Sequence, residues 1–159
     1  MDRRETNLEP STSQHPHELD ILRARIDSSL QRQGMMLHLG VRLLHVERGC
    51  VTLVLPFSDK VTQQQGGYHG GAMGALADIA GGYAALTVAP PDVEVTTVEY
   101  KINFLAAFEG GELQATGRVV RAGKRLIITT AEVQHCAADG TRKDCAIMQQ
   151  TIAPVPKTY

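Results

Sequence analysis

The chain has 159 residues, which is enough for one domain of ordinary size with a buried core. Its 16 basic residues nearly balance its 17 acidic residues, so its charge does not favour a nucleic-acid or membrane-surface partner. The three cysteines form no CxxC pair and their number is odd, which suits reduced thiols in a cytosolic compartment. We therefore expect a cytoplasmic protein that binds neither nucleic acid nor membrane.

The first 17 residues are polar, contain Pro10 and Pro16, and lack the apolar centre of a signal peptide. They predict a mobile tail over 1–17 and a single domain over 18–159. The longest apolar stretch, from Ala72 to Pro90, is interrupted by glycines and by Asp78, so we expect no membrane span.

Two helices and an initial pair of strands are predicted from apolar periodicity. Apolar residues spaced three or four apart predict a helix over 18–33 that ends at Gly34. Alternation over 37–43 predicts a first strand, and a second strand is expected near 51–57. The segment 71–88 is apolar on all sides, which is typical of a buried helix, and Pro90 stops it.

Four further strands follow, near Val93–Phe104, Glu112–Arg121, Arg125–Cys136 and Lys143–Ile152. These elements predict an α+β fold in which a long antiparallel sheet wraps one central helix. Three glycines inside that helix, Gly74, Gly81 and Gly82, each cost about 1 kcal/mol relative to alanine. We therefore expect a close contact with another element to compensate for them.

The segment from Gly66 to Asp78 is the best candidate for a reactive site. Gly70 and Gly71 would present backbone N–H groups at the start of the helix, where an oxyanion is stabilised. Asp78 is a lone carboxylate in an apolar run, a placement that is rare unless the group has a partner or a function. It lies eight residues beyond Gly70, roughly 12 Å along the helix axis. Both groups could act on one carbon if two such helices lay antiparallel in a dimer.

Three runs of residues resemble the hotdog-fold acyl-CoA thioesterases, in particular their phenylacetate-degradation (PaaI-like) branch. They are His69-Gly70-Gly71 with Ala75-Leu76-Ala77-Asp78, the strand 98–105, and the segment 117–124. The resemblance covers about residues 35–152. It implies a hotdog fold, a homo-oligomer that is a dimer or a dimer of dimers, and hydrolysis of an acyl- or aryl-CoA thioester. It implies no cofactor, because coenzyme A is part of the substrate.

The resemblance also suggests roles for four residues in catalysis. Asp78 matches the catalytic carboxylate, which either directs a water molecule or attacks the thioester itself. Gly70 matches the glycine whose amide polarises the thioester carbonyl, and Thr97 matches a hydroxyl residue that orients the water. Gln63 stands where relatives place an asparagine or glutamine whose amide holds the carbonyl or the carboxylate. The PaaI-like branch usually has asparagine there, so this position departs from its pattern.

Several residues are expected to bind substrate. His69 and Gly71 flank Gly70, and a histidine at a loop–helix junction is most often a hydrogen-bonding anchor. A turn rich in cations could bind the phosphates of coenzyme A, although basic turns are usually just solvated. Its candidates are Arg121, Lys124 and Arg125, with Arg118 nearby. We expect no metal site, because the histidines share no ligand spacing with cysteines or carboxylates.

Two other functions remain open from the sequence. A non-catalytic acyl-CoA-binding or sensing module would use the helix N-terminus without hydrolysis. A hotdog hydratase or dehydratase would need a histidine–carboxylate pair, for which His69 is the only candidate near the helix. A serine hydrolase is poorly supported, because no Gly-x-Ser-x-Gly motif occurs.

Overall fold

The computed structural model describes residues 16–158, which form three α-helices, one short 3-10 helix and six strands. The helices are α1 (Pro16–Leu30), α2 (Gly34–Leu39) and α3 (Gly70–Val88), with a short 3-10 helix at Asp59–Val61. The strands are β1 (Arg42–Glu47), β2 (Cys50–Pro56), β3 (Val93–Phe104), β4 (Glu112–Ala122), β5 (Ile127–Cys136) and β6 (Arg142–Pro156).

All six strands form one antiparallel sheet in the order β1-β2-β4-β5-β6-β3. The sheet packs around α3, which confirms the predicted hotdog arrangement of a sheet around a central helix. The two edges differ, because β1 has 6 residues whereas β3 has 12. A register shift between Thr97 and Glu99 interrupts the pairing of β3 with β6. The longer edge is therefore irregular near its middle.

Small residues let α3 approach the sheet closely. Ala77, Ala80 and Ala84 are fully buried against the strands. On β4, a Cβ atom at Gly117 would lie 2.2 Å from the Ala80 carbonyl oxygen, so only glycine fits beneath the helix. By length and composition α3 could also cross a membrane, but most of it is buried here as a core helix.

The three glycines inside α3 have different surroundings. A Cβ atom at Gly81 would lie 1.7 Å from Oε1 of Gln150 on β6, so this glycine is needed for a close contact, as expected. A Cβ atom at Gly74 or at Gly82 would meet nothing within 4 Å among the described residues. Among the described residues, the expected compensation is therefore present only at Gly81.

The prediction of a strand over 37–43 was wrong for its first half. Residues 34–39 form α2, and the strand begins only at Arg42. Gly40 ends the helix with φ of +80° and donates its N–H to the Leu37 carbonyl, while the Val41 N–H bonds to the Met36 carbonyl. This is a left-handed helix end that glycine favours. Four alternating apolar positions were too few to separate a strand from one helical turn.

The first helix begins at Pro16, so Pro16 and His17 are helical, whereas the rest of the predicted mobile tail lies outside the described residues. Arg25 attaches α1 to the carboxyl end of α3. Its guanidinium donates to four backbone carbonyls, those of Leu86, Ala89, Pro90 and Val93. The cation thereby supplies donors to carbonyl groups at and just beyond the end of α3.

Candidate active site

Asp78 lies in the middle of α3, partly buried, and faces the inner side of β3 and β6. The Thr97 hydroxyl donates to Asp78 Oδ1 at 2.7 Å. The Gln150 amide donates to the same oxygen at 2.8 Å. No described residue donates to Oδ2. One carboxylate oxygen is therefore held by two donors, and the other is left for a substrate or a water molecule.

Gln150 is a site residue that the sequence reasoning missed. Its side chain is 1% exposed and bridges three elements of the fold. Nε2 also donates to the Asp78 main-chain carbonyl at 3.1 Å, and Oε1 accepts the Thr129 hydroxyl at 3.0 Å. The sequence did hold one indication of this role. Gln150 lies on the same face of β6 as the buried Met148 and Ile152, and a polar side chain on a buried face needs a hydrogen-bond partner.

At the N-terminus of α3, one backbone donor has no partner in the part of the chain that the structure describes. His69 is the N-cap, and its Nδ1 accepts the Gly71 N–H at 2.8 Å. The main-chain carbonyl of His69 accepts the N–H groups of Ala72 and Met73. Among residues 16–158 the Gly70 N–H has no hydrogen-bond acceptor. The Gly70 amide is thus available to a ligand oxygen, whereas the Gly71 amide is occupied by the His69 ring.

Neighbouring loops hold this N-terminus in place. The His69 N–H donates to the Val61 carbonyl at 2.7 Å, and the Tyr68 N–H donates to the Phe108 carbonyl at 2.8 Å. The Phe104 ring, at the end of β3, would lie 3.2 Å from a Cβ atom at Gly70. Burial raises the pKa of Tyr68, whose hydroxyl donates to the Leu55 carbonyl. The helix start is therefore fixed to β3 and to the loop after it.

Gln63 lies in the loop before α3, in contact with its own segment. Its Oε1 accepts the Gln65 N–H, and its main-chain groups bond to Gly66 and Gly67. Its Nε2 would lie 3.5 Å from a Cβ atom at Gly67. Within one chain Gln63 therefore shapes the loop, and it makes no hydrogen bond to Asp78.

The predicted phosphate-binding cations do not lie beside Gly70 in the same chain. Arg121, Lys124 and Arg125 are exposed in the hairpin between β4 and β5. That hairpin follows Val119, whose N–H bonds to Gly49 near the carboxyl end of α3. Within one chain the cations and the N-terminus of α3 are at opposite ends of the helix. Arg118, nearby on β4, donates to Cys50 Sγ at 3.2 Å.

The cysteines and one surface groove are not part of the candidate site. Burial raises the pKa of the Cys50 thiol and raises that of Cys145 to about 11, so these thiols are poor nucleophiles at neutral pH. A groove of about 330 Å³ lies on the outer face of the sheet and is lined by strand residues such as Lys101, Glu132 and Gln149. It contains none of the predicted site residues.

The sequence of this chain is similar to those of several known proteins. A profile of the thioesterase superfamily matches residues 65–135. A protein of Saccharolobus solfataricus that bears an esterase name is 36% identical over 102 residues, which are 64% of this chain and 71% of that protein. A 1,4-dihydroxy-2-naphthoyl-CoA hydrolase of Listeria monocytogenes is 30% identical over 120 residues, which are 76% of this chain and 94% of the hydrolase.

Solved structures agree with the sequence relatives. A thioesterase family protein from Silicibacter pomeroyi has a TM-score of 0.82 and 32% identity, over 86% of this chain and 99% of that one. The PaaI protein from the E. coli phenylacetic acid degradation operon has a TM-score of 0.76 over 89% of this chain and 96% of its own. At 20% identity, that second likeness supports the fold alone.

Proposed function

Because the chain belongs to the thioesterase superfamily, we propose that it hydrolyses an acyl- or aryl-CoA thioester to the free acid and coenzyme A. The observation that carries the proposal is the state of the Asp78 carboxylate. Its Oδ1 is held by two donors, and its Oδ2 has no donor among the described residues. A carboxylate prepared in this way can act on a reacting group through one defined oxygen.

The chemistry requires a base or nucleophile and a donor for the developing oxyanion. Asp78 Oδ2 either accepts a proton from an attacking water or attacks the thioester carbon itself. In the first route water forms the new C–O bond, the C–S bond breaks to release the free acid, and the proton held by Asp78 passes to the coenzyme A thiolate. In the second route Asp78 forms the C–O bond as the C–S bond breaks, which gives a mixed anhydride, and a water molecule then hydrolyses it to the free acid, restores the carboxylate and supplies the proton for the thiolate. The unpaired Gly70 N–H is the donor for the carbonyl oxygen, a role commonly worth about 3 to 4 kcal/mol of barrier. The Thr97 hydroxyl, bonded to Oδ1, can still accept a hydrogen bond from the water.

The two groups belong to different protomers in this proposal. Asp78 lies about 12 Å along the helix from Gly70 in the same chain, too far for both to contact one thioester carbonyl. The β3 edge supports a dimer, because it is long and leaves apolar side chains exposed. Val98, Tyr100 and Phe104 are each at least half exposed along it. Pairing β3 with its copy would cover these side chains and continue the sheet.

The contacts of β3 with α3 support one register for that pairing. Thr97 marks the position of Asp78, and Phe104 marks the position of Gly70. An antiparallel pairing with its two-fold axis at Lys101 would bring Thr97, which lies beside the irregularity in β3, close to Phe104 of the second copy. Asp78 of one protomer and Gly70 of the other would then lie next to each other across the interface. The arrangement would give two equivalent sites per dimer.

The proposal is tested by thiol release from chemically diverse CoA thioesters, including aliphatic, phenylacetyl and hydroxyaryl compounds. The name of the Listeria relative justifies including an aromatic member. The wild-type protein should release thiol from at least one of them. Asp78→Asn should lower kcat by at least about 10²-fold while the protein stays folded and keeps its oligomeric state.

The same assay separates the other functions. A hydratase consumes an unsaturated acyl-CoA without releasing thiol, and a binding module retains the intact thioester. Thiol release that is unchanged in a folded Asp78→Asn protein would refute the assigned role of the carboxylate. Absence of thiol release from every thioester would refute the hydrolase.

A further inference from the structure

We propose that Gln150 is a positioning residue that selects which oxygen of Asp78 reacts, and that Gly81 exists to make room for it. This inference rests on the proposed hydrolysis. The sequence pattern and the family resemblance led to Asp78, Gly70 and Thr97, whereas Gln150 was found only through its contacts. It touches the carboxylate but is too buried to touch the substrate.

The orientation of the Gln150 amide is set by the two oxygens of Asp78 that it meets, because these can only accept. The completely buried Thr129 hydroxyl, which could donate or accept, donates to Oε1, and Nε2 points toward Asp78. There it meets two acceptors of the same residue, the carboxylate Oδ1 and the main-chain carbonyl. A reversed amide would place its oxygen against both of these oxygens. The observed orientation of the amide is therefore much lower in energy than the reversed one, because only the observed one satisfies every buried group.

The consequence for Asp78 is a fixed side chain. Gln150 binds both the main-chain carbonyl and Oδ1 of the aspartate, so it restrains rotation of the carboxylate relative to the helix. Thr97 approaches Oδ1 from β3 and gives the same restraint from another side. With Oδ1 occupied twice, only Oδ2 is available for the reaction. Such restraint increases the rate by orientation rather than by substrate binding.

Gly81 leaves the space that the Gln150 side chain occupies beside α3. Its absent Cβ would lie 1.7 Å from Gln150 Oε1, 2.8 Å from Cδ and 2.9 Å from Thr129 Oγ1. Any side chain at position 81 would therefore push the amide away from Asp78. Glycine in a helix interior costs about 1 kcal/mol relative to alanine, which the buried hydrogen bonds of Gln150 can offset.

The first test replaces Gln150 with methionine, which has a similar length but no donor. We expect Gln150→Met to lower kcat by about 10- to 100-fold, since a hydrogen bond to a charged group is lost, with KM changed less than about twofold. The matched control is Gln149→Met, on the same strand but exposed on the outer face. The control should keep wild-type kcat. A milder variant, Thr129→Val, removes only the donor to Oε1 and should lower kcat by a smaller factor.

The second test uses Gly81→Ala and the double variant Gly81→Ala/Gln150→Ala. Gly81→Ala should lower kcat about as much as Gln150→Met, although residue 81 touches no substrate. In the Gln150→Ala background, alanine at position 81 should cause no further loss, because both changes act through one hydrogen bond. Effects that multiply, or a Gly81→Ala protein with wild-type kcat, would overturn the proposal.

Crystal structures of Gln150→Met and of the wild type give a readout that does not depend on activity. The variant should show the Asp78 carboxylate displaced from its wild-type position or in more than one orientation, and an unchanged carboxylate would refute the positioning role. If no thioester is cleaved by the wild type, the hydrolase proposal fails and these structures still decide the role of Gln150. If Asp78→Asn loses activity while a folded Gln150→Met keeps it, the hydrolase stands and this inference fails.

Discussion

The two sides of α3 are made of the same small residues but have opposite surroundings. Gly81 faces the sheet, where a single added carbon would collide with Gln150. Gly82, the next residue, would meet nothing within 4 Å in the described chain. It lies four residues beyond Asp78, which itself lies four beyond Gly74, so these three share one side of the helix. Gly70 continues the same row at the N-terminus.

This difference shows on which side of α3 the packing partners come from the same chain. On the sheet side, glycine is required by atoms that are present in the same chain. At Gly74 and Gly82, which flank Asp78 along the helix, an added Cβ would meet nothing within 4 Å in the described chain, and we propose that a second protomer with its substrate lies beside this row. The same amino acid therefore supports close packing on one side and, in our proposal, a shared site on the other.

The largest effect is expected on the packed side, at Gly117. In Gly117→Ala the new Cβ would lie 2.2 Å from the Ala80 carbonyl oxygen and 2.3 Å from its carbonyl carbon. Because both are backbone atoms, α3 must move away from the sheet, and we expect a loss of about 3 kcal/mol or more in the free energy of unfolding. Urea unfolding measures this loss. Gly34→Ala, where a Cβ would meet nothing within 4 Å, is the control and should change stability little.

On the open side, Gly70→Pro should remove the oxyanion donor and leave the fold intact. Gly70 is the first residue of α3, a position that tolerates proline, and His69 before it is already extended with ψ of 134°. The exposed Phe104 ring must shift slightly to accommodate the side chain. We expect kcat to fall by about 10²- to 10³-fold in steady-state assays.

Gly34→Pro provides the matched control, because it also places proline at the first residue of a helix. It should retain activity. A Gly70→Pro protein that is folded and fully active would show that its amide does not stabilise the reaction.

A mixed dimer tests whether the open side is shared. When Asp78→Asn and Gly70→Pro chains are co-expressed with different tags, each purified heterodimer should contain one site with both defects and one intact site. About half of the wild-type kcat per dimer should then return, although each parent is nearly inactive. If each site were built within one chain, the heterodimer would stay as inactive as its parents.

The smallest expected effect concerns a buried thiol under the packed side. Burial raises the pKa of Cys145 from its ordinary value of 9.0 to about 11 in the folded protein. The unfolded chain thus loses this proton at a lower pH, so the stability from Cys145 is complete below pH 9 and declines as the pH rises toward 11. Urea unfolding of wild type and Cys145→Ala over that range should show a weaker decline in the variant. Equal slopes would contradict the assignment.

The fold was largely predictable because its signals are local and repeated. The apolar run that ends at Pro90 predicted α3, and the bounds predicted for β3 agree with the structure. The helix α2 was mistaken for a strand because its apolar positions are few and Gly40, which ends it, was not recognised as a helix end. A helix of one or two turns and a short strand leave almost the same pattern of apolar residues in a sequence.

The candidate site was predictable in part. Thr97 lies beside Asp78 as expected, because a strand that follows the helix must return along it. Gln150 was missed because it is 72 residues from Asp78, and no local pattern connects them. Gly81, a glycine in a face of α3 that is otherwise rich in alanine, was the other sequence feature that pointed to this contact. Only the packing of α3 against β6 brings Gly81 and Gln150 together.

Arg25 has a consequence for where this domain can be cut. Four carbonyls around the end of α3 and the start of β3 accept hydrogen bonds from a guanidinium that is supplied from α1. A fragment that starts after Leu30 would keep all the residues proposed to react, yet it would expose those carbonyls and the apolar groove that Ile26 and Leu30 fill. The smallest autonomous folding unit therefore extends well upstream of the reactive segment, and expression of shorter pieces should yield aggregated protein.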